Sequence, residues 1–174
     1  MNGNTIKILF LKIRFFLLKS EKKRTKWIYK HKNLFHSIGE NLFFQPRKLP
    51  ADPELISFGN NVYVASDVTF VNHDIIGGML NNKYKTKDFC YYRAPISIGD
   101  NVMIGTHVVI LPNVKIGNNV IIGAGSIVTK DISDDSVVAG VPAKVVGSFN
   151  DFVEKRRGEQ NRTTAEIWRM FEKR

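Results

Sequence analysis

From Ile98 onward an aliphatic residue returns every sixth position, at Ile98, Ile104, Ile110, Ile116, Ile122 and Val128, with glycine next in line at 99, 105, 117 and 123. A second column, four residues further on, reads Val102, Val108, Val114, Val120, Ser126 and Ile132. The same phase is present upstream in Phe58, Gly59, Val62, Val64, Val68 and Phe70. Such a period suits neither a helix nor an uninterrupted strand, but it does suit a short strand and a corner, repeated. Three hexads then form one triangular coil, and stacked coils align aliphatic on aliphatic along the prism. Glycine beside four of the six aliphatics, with Asn60, Asn61, Asp100, Asn101, Asn118 and Asn119 near the bends, is expected to supply the left-handed backbone that corners need.

Each inward Ile or Val contributes roughly 1.5–3 kcal/mol on burial, yet a coil must order about eighteen residues at ~1–2 kcal/mol each for the backbone alone. A single coil therefore cannot stand. Coils must stack, and the sides of a short prism must be covered by terminal helices or by neighbouring subunits. The handedness does not follow from the period, because parallel crossovers in general prefer the right hand.

The stretch from Ile98 to Ile132, closed by Val138-Ala-Gly-Val-Pro-Ala-Lys-Val-Val146, resembles the hexapeptide-repeat acyltransferases, in particular the galactoside, maltose, xenobiotic and capsular-polysaccharide acetyltransferases. The resemblance covers roughly residues 55 to 147. It implies an all-β class built on a left-handed parallel β-helix, a homotrimer with active sites between subunits, acetyl-coenzyme A as donor and no metal.

Within its 174 residues the chain divides into an apolar, basic and partly helical N-terminal arm (1–50), the β-helix (51–148, with an inserted loop at 74–95) and a C-terminal helical tail (149–174). The net charge of +10 belongs to the arm, which has twelve Lys and Arg against two acids, while the remainder has fourteen of each. The run Thr5 to Lys19 is too short, and too interrupted by Lys7, Lys12 and Arg14, to span a bilayer or serve as a signal peptide, so the expected location is cytoplasmic. Two roles are open to the arm. It packs against the β-helix or trimer with its cations reaching water, or residues 5–32 make a peripheral contact with anionic membrane. No nucleic-acid-binding module accompanies the basic cluster.

The lone Cys90 allows no intrachain disulfide and reads as a passive thiol. Of four histidines, His73 stands where the hexad rhythm stops and the insertion begins, a departure from pure packing that marks a functional-site candidate. Transfer of acetyl to a sugar hydroxyl needs a base, and neutral imidazole is suited to it near pH 7. The families resembled place their catalytic histidine at this position. Asp74 either orients that ring, holds the acceptor, or caps a turn. His107, inside a regular hexad, is a corner or subunit-interface residue, or else borders a neighbour's donor site.

By resemblance, the Thr106 amide takes the oxyanion or thioester-proximal position, Ala124, Thr129 and Lys130 line the pantetheine and phosphate channel, and Lys144 lies near the nucleotide end. Lysines there match the phosphate charge of coenzyme A. The insertion, with Tyr91, Tyr92 and Arg93, mixes aromatic and polar groups suited to a sugar. The family's acceptor-binding Asn upstream of the repeat has no clear counterpart, leaving Gln45 and Asp52 as substitutes. Thr163 to Glu166 has the form of a capping box opening a terminal helix, with Ile167, Trp168, Met170 and Phe171 at helical spacing.

The expected function is acetyl-coenzyme A-dependent O-acetylation of a saccharide, such as a capsular or exopolysaccharide precursor, by direct attack with His73 as general base. Antibiotic or amino-acid acceptors are alternatives within the same chemistry. Two other classes share the scaffold, a non-catalytic trimeric assembly module and a zinc enzyme like the γ-class carbonic anhydrases. The latter needs three closely placed His ligands, and only His73 and His107 lie in the repeats, 34 residues apart.

Overall fold

The computed structural model describes residues 3–157 and 162–172; the remaining residues of the expected arm and tail lie outside the described residues. Three parallel sheets form the walls of a triangular prism. The first wall stacks Ser37–Ile38, Ile56–Phe58, Ile96–Ile98 and Lys115–Ile116. The second stacks Phe43–Phe44, Val62–Val64, Val102–Ile104, Val120–Ile122 and Ser136–Ala139. The third stacks Thr69–Phe70, Val109–Ile110 and Ile127–Val128.

Both sequence columns point inward: Ile104, Val108, Ile110, Val120 and Ile122 are fully buried, and register pairs residues of successive coils, Val62 with Val102 and Val102 with Val120. Ser126 replaces an aliphatic in the column without cost in unpaired groups, because its hydroxyl donates to Gly123 O at 2.7 Å and accepts from Gly140 N at 3.1 Å.

At the corners the expected division of labour between glycine and asparagine is revised. Left-handed φ angles fall on Asn61, Asn101, Asn119, Asp67, Asn113, Asp135 and His107. Gly59, Gly99 and Gly117 serve closeness instead: a Cβ on Gly99 would lie 2.7 Å from Gly117 O and 2.6 Å from Asn118 Oδ1. The Asn and Asp side chains form ladders along this edge, with Asn61 Nδ2 donating to Asn101 Oδ1 at 2.9 Å, Asn101 to Asn119 at 3.0 Å and Asn119 to Asp135 at 2.9 Å. Stacked polar corners thereby satisfy one another from coil to coil.

An all-β class is too narrow for this chain. Helices α1 (Gly3–Phe16) and α2 (Glu21–Lys30) precede the prism, α3 (Ile76–Tyr84) stands in the insertion, and α4 (Phe149–Arg157) and α5 (Thr164–Glu172) follow. Two strands from the segment assigned to the arm, Ser37–Ile38 and Phe43–Phe44, also join the walls. Sequence periodicity passes over them because the core of this first coil is made by Phe35, Leu42 and Phe44 outside the hexad phase, with both phenylalanines packed on Phe58 of the next coil. The aromatic filling continues outward, Phe44 meeting Phe15 of α1 edge-on at 6.1 Å between centroids and Phe15 meeting Trp27 of α2 at 5.1 Å.

Helix α2 begins at Ser20, whose side chain accepts from Lys23 N. It covers the open sheet edge: Tyr29 Oη accepts from Leu42 N at 2.8 Å and Thr25 Oγ1 accepts from Phe44 N at 3.1 Å. At the far end the chain reverses, and Lys144–Ser148 runs antiparallel to Ser136–Ala139. The capping box of α5 is present, with Glu166 Oε2 accepting from Thr163 N at 2.6 Å and Thr163 Oγ1 accepting from Glu166 N at 3.3 Å.

Candidate active site

The insertion leaves the prism at the edge between the third and first walls and returns to it at once. Ala94 N donates to Asn72 O at 2.8 Å, and the strands His73–Asp74 and Tyr92–Arg93 pair antiparallel, His73 opposite Arg93 and Asp74 opposite Tyr92. The segment expected as a loop thus contains a strand pair and α3. Its far part is clipped by Asn81, whose side chain donates to Phe89 O at 2.8 Å and accepts from Phe89 N at 3.0 Å. Ile76, Met79, Leu80 and Tyr84 stand at helical spacing, but the pair Gly77-Gly78 argues against a helix in the sequence, and the apolar side chains Ile76, Met79 and Tyr84 are more than half exposed.

His73 Nδ1 lies 2.6 Å from Asp52 Oδ2, with the two side chains 29% and 20% exposed. A carboxylate accepts only, so Nδ1 is the donor in this contact and Nε2 is the ring nitrogen turned away from Asp52. The other oxygen of Asp52 accepts from Arg93 at 3.2 Å, and the same guanidinium binds Glu54. Arg93 therefore ties the returning strand of the insertion to the segment that carries Asp52. Its pKa is raised, first by the hydrogen bond to Glu54 and then by the charge of Asp52. Tyr91 tilts over the histidine, with ring centroids 5.2 Å apart. Both Tyr91 and Tyr92 are about half exposed, at 53% and 46%.

Asp74 does not face the ring-orienting position; its Oδ1 accepts from Ile76 N at 3.0 Å and opens α3, the turn-capping role. Asn72, which the sequence pattern does not single out, is 1% exposed and its side-chain amide is unpaired. Such burial costs about 1–3 kcal/mol and is carried at the residue adjoining His73.

The remaining expected residues lie elsewhere. Thr106 and Ala124 occupy the edge between the second and third walls, where Gly125 N donates to Thr106 O at 2.8 Å and His107 N to Ser66 O at 3.1 Å. Gln45 belongs to that edge too, its Oε1 accepting from Ser66 Oγ at 3.4 Å. His107 is an exposed corner residue with φ of 60°. Thr129 and Lys130 share the edge of His73 but follow a strand two steps along the third wall, roughly 10 Å at ~4.8 Å per step. Lys144 opens the antiparallel terminal strand. One protomer thus gathers His73, Asp52, Tyr91 and Arg93, and keeps Thr106 and Ala124 on a different edge.

Among the described residues no group of three or more His, Cys, Asp or Glu is placed to hold a metal, and no helix is long and apolar enough to cross a membrane. Cys90 is exposed and free.

Residues 95–130 match the family model for bacterial transferase hexapeptide (six repeats). Galactoside O-acetyltransferase of Escherichia coli K12 is 43% identical over 114 residues, which are 66% of this chain and 54% of the relative. A solved galactoside acetyltransferase in complex with coenzyme A is 31% identical with a TM-score of 0.65, the match covering 90% of this chain and 84% of that one. A maltose O-acetyltransferase from Clostridium difficile 630 is 30% identical with a TM-score of 0.55, covering 79% of this chain and 82% of that one. The chain spans 54% to 66% of the length of the first three curated relatives it matches.

Proposed function

Since the chain belongs to the hexapeptide-repeat acyltransferases, we propose that it is an acetyl-coenzyme A-dependent O-acetyltransferase acting on a saccharide hydroxyl, with His73 as general base. The observation that carries this reading is the His73–Asp52 contact of 2.6 Å at the place where the coil is interrupted. Nε2 of His73 takes the proton of the acceptor hydroxyl as its oxygen attacks the acetyl carbon. The tetrahedral oxyanion is met by a backbone N–H, that of Thr106 by family resemblance. Collapse breaks the carbon–sulfur bond, and the imidazolium returns its proton to the departing thiolate. Asp52 steadies the charged ring through this cycle and is a positioning residue.

The edges support an assembly of three. With His73 on one edge and Thr106 and Ala124 on another, a neighbour in a homotrimer can bring its donor-binding edge to this protomer's base. In that arrangement Thr129, Lys130 and Lys144 offer hydroxyl and ammonium groups to pantetheine and phosphates. We take the coil as left-handed, as the family resemblance implies. The acceptor lies against Tyr91 and Tyr92, with galactosides and maltose the first sugars to try, since relatives are named for them. A capsular or exopolysaccharide precursor is the finer form of this reading, and its use of acetyl-coenzyme A favours the cytoplasm, with residues 5–32 able to touch the membrane from that side.

The test is thiol release from acetyl-coenzyme A across a panel of sugars, antibiotics and amino acids, comparing wild type with His73→Ala. The variant is expected to lose about 10²–10⁴-fold in kcat. Full turnover by the variant removes His73 as base, and turnover on an antibiotic or amino acid but no sugar removes the saccharide.

A further inference from the structure

Helix α1 is anchored to the core by its Phe15 side. Phe15 is fully buried against Trp27 and Phe44, and Leu18 packs on the same core. At 100° per residue, Leu9, Phe10, Ile13, Phe16 and Leu17 fall within an arc of about 120° on the opposite side. Each of these five is 46–66% exposed, so the stripe faces outward from the fold.

Cations flank the stripe. Arg14 stands beyond Phe10, its guanidinium 5.8 Å from that ring's centroid, and Arg47 lies 5.4 Å from the ring of Phe16. On the Phe16 side a cleft of about 320 Å³ is walled by Ile13, Phe16 and Leu49 and rimmed by Lys12 and Lys48. Apolar walls with two ammonium groups at the rim suit a hydrocarbon chain joined to a phosphate. A second cleft of about 290 Å³ shares Lys12 and Leu49 with the first and extends to Asp52 and Glu54. Lys12 Nζ donates to Ala51 O at 3.0 Å, so α1 rests directly on the segment that holds the histidine.

From these features we infer that α1 docks on an anionic membrane surface through Leu9, Phe10, Ile13, Phe16 and Leu17, with Lys12, Arg14, Arg47 and Lys48 on lipid phosphates, and that the acceptor is a saccharide carried on lipid. The charge selects this occupant over a second copy of the chain. The arm carries the whole net charge of +10, so two such stripes repel each other, whereas an anionic leaflet attracts both. Three arms on one trimer would multiply a weak individual contact. The assignment of the acceptor class rests on the proposed transferase reading; the docking does not.

Docking is tested by co-sedimentation of the full chain with phosphatidylcholine vesicles and with equimolar phosphatidylcholine and phosphatidylglycerol, at low and moderate salt. Wild type is expected to sediment with the anionic vesicles, less so as salt rises, and to stay in solution with the neutral ones. Phe10→Glu with Ile13→Glu should lower anionic partitioning at least tenfold at an unchanged melting temperature. Arg14→Gln and Lys48→Gln should each lower it about fivefold, the value of one cation near such a surface. Wild type remaining in the supernatant at both salts overturns the docking, as does equal partitioning of the Glu pair. A shift of the Glu pair to a smaller oligomer without any vesicle binding assigns the stripe to a subunit contact and overturns it too.

Acceptor class is tested with a galactosyl lipid in the same vesicles against free methyl galactoside. The Glu pair should slow acetylation of the lipid-borne sugar tenfold or more and leave that of the free sugar unchanged. Equal slowing of both, or of neither, overturns the assignment. No thiol release by wild type on either sugar, with sedimentation intact, counts against the transferase reading and leaves docking standing.

Discussion

Asp52→Asn isolates what the carboxylate does for the histidine. The contact of 2.6 Å joins an anion to Nδ1, and hydrogen bonds to charged groups contribute about 1.5–3 kcal/mol. With the pair 29% and 20% exposed, solvent screening reduces that share. At 1.36 kcal/mol per decade, about tenfold in rate follows from charge alone. Tautomer adds to this. An amide can turn its NH₂ toward Nδ1, which moves the ring proton to Nε2 and removes the base; in a buried serine-protease triad that change costs about 10⁴ in kcat. For this half-open site the expected fall lies between about tenfold and 10³-fold in kcat. The KM for acetyl-coenzyme A should be unchanged, because Asp52 is not among the residues proposed to hold it. The assay is steady-state thiol release for wild type, Asp52→Asn, His73→Ala and the double variant, with melting temperatures as control. If Asp52 acts through His73, the double variant is no slower than His73→Ala. Multiplicative losses, or an Asp52→Asn rate within about threefold of wild type, would refute the positioning role.

Arg93→Gln should lower kcat/KM for the acceptor by about threefold to thirtyfold while costing under ~1 kcal/mol in stability, since the ion pairs are partly exposed. Unchanged kcat/KM would show that the tie between the insertion and Asp52 has no bearing on turnover. Gly99→Ala forces a Cβ to within 2.7 Å of Gly117 O, so the coils must part, at about 1–3 kcal/mol and a fall in Tm of roughly 2–12 °C by thermal melting. Gly78→Ala, with nothing within 4 Å, is the paired control and should melt at or slightly above wild type.

The walls of the prism are legible because an aliphatic column with a fixed period can be read without knowing the fold. His73 is legible because it stands at the break in that period. Asp52 as its partner is not, being 21 residues away, although one coil of about eighteen residues plus a corner brings such positions side by side. The signal that points to it is the polar residue one coil upstream of the candidate base. The insertion's helix and the aromatic first coil stay hidden for a different reason. Their order comes from Asn81 clipping Phe89 and from Phe44 meeting Phe15, contacts that leave no periodic trace. Glycine and asparagine are both legible as corner residues, but only the packed coils separate the one needed for narrowness from the one needed for its φ angle.

A stack of identical parallel rungs has no internal reason to stop growing, and its last rung is an invitation to the first rung of another molecule. Reversing the chain at Lys144–Ser148 answers that hazard on the second wall, because its last strand is covered by a segment running the wrong way to continue the spiral. At the opposite end of the same wall α2 takes the amides of Leu42 and Phe44, so both outer edges of that wall are occupied by the chain itself.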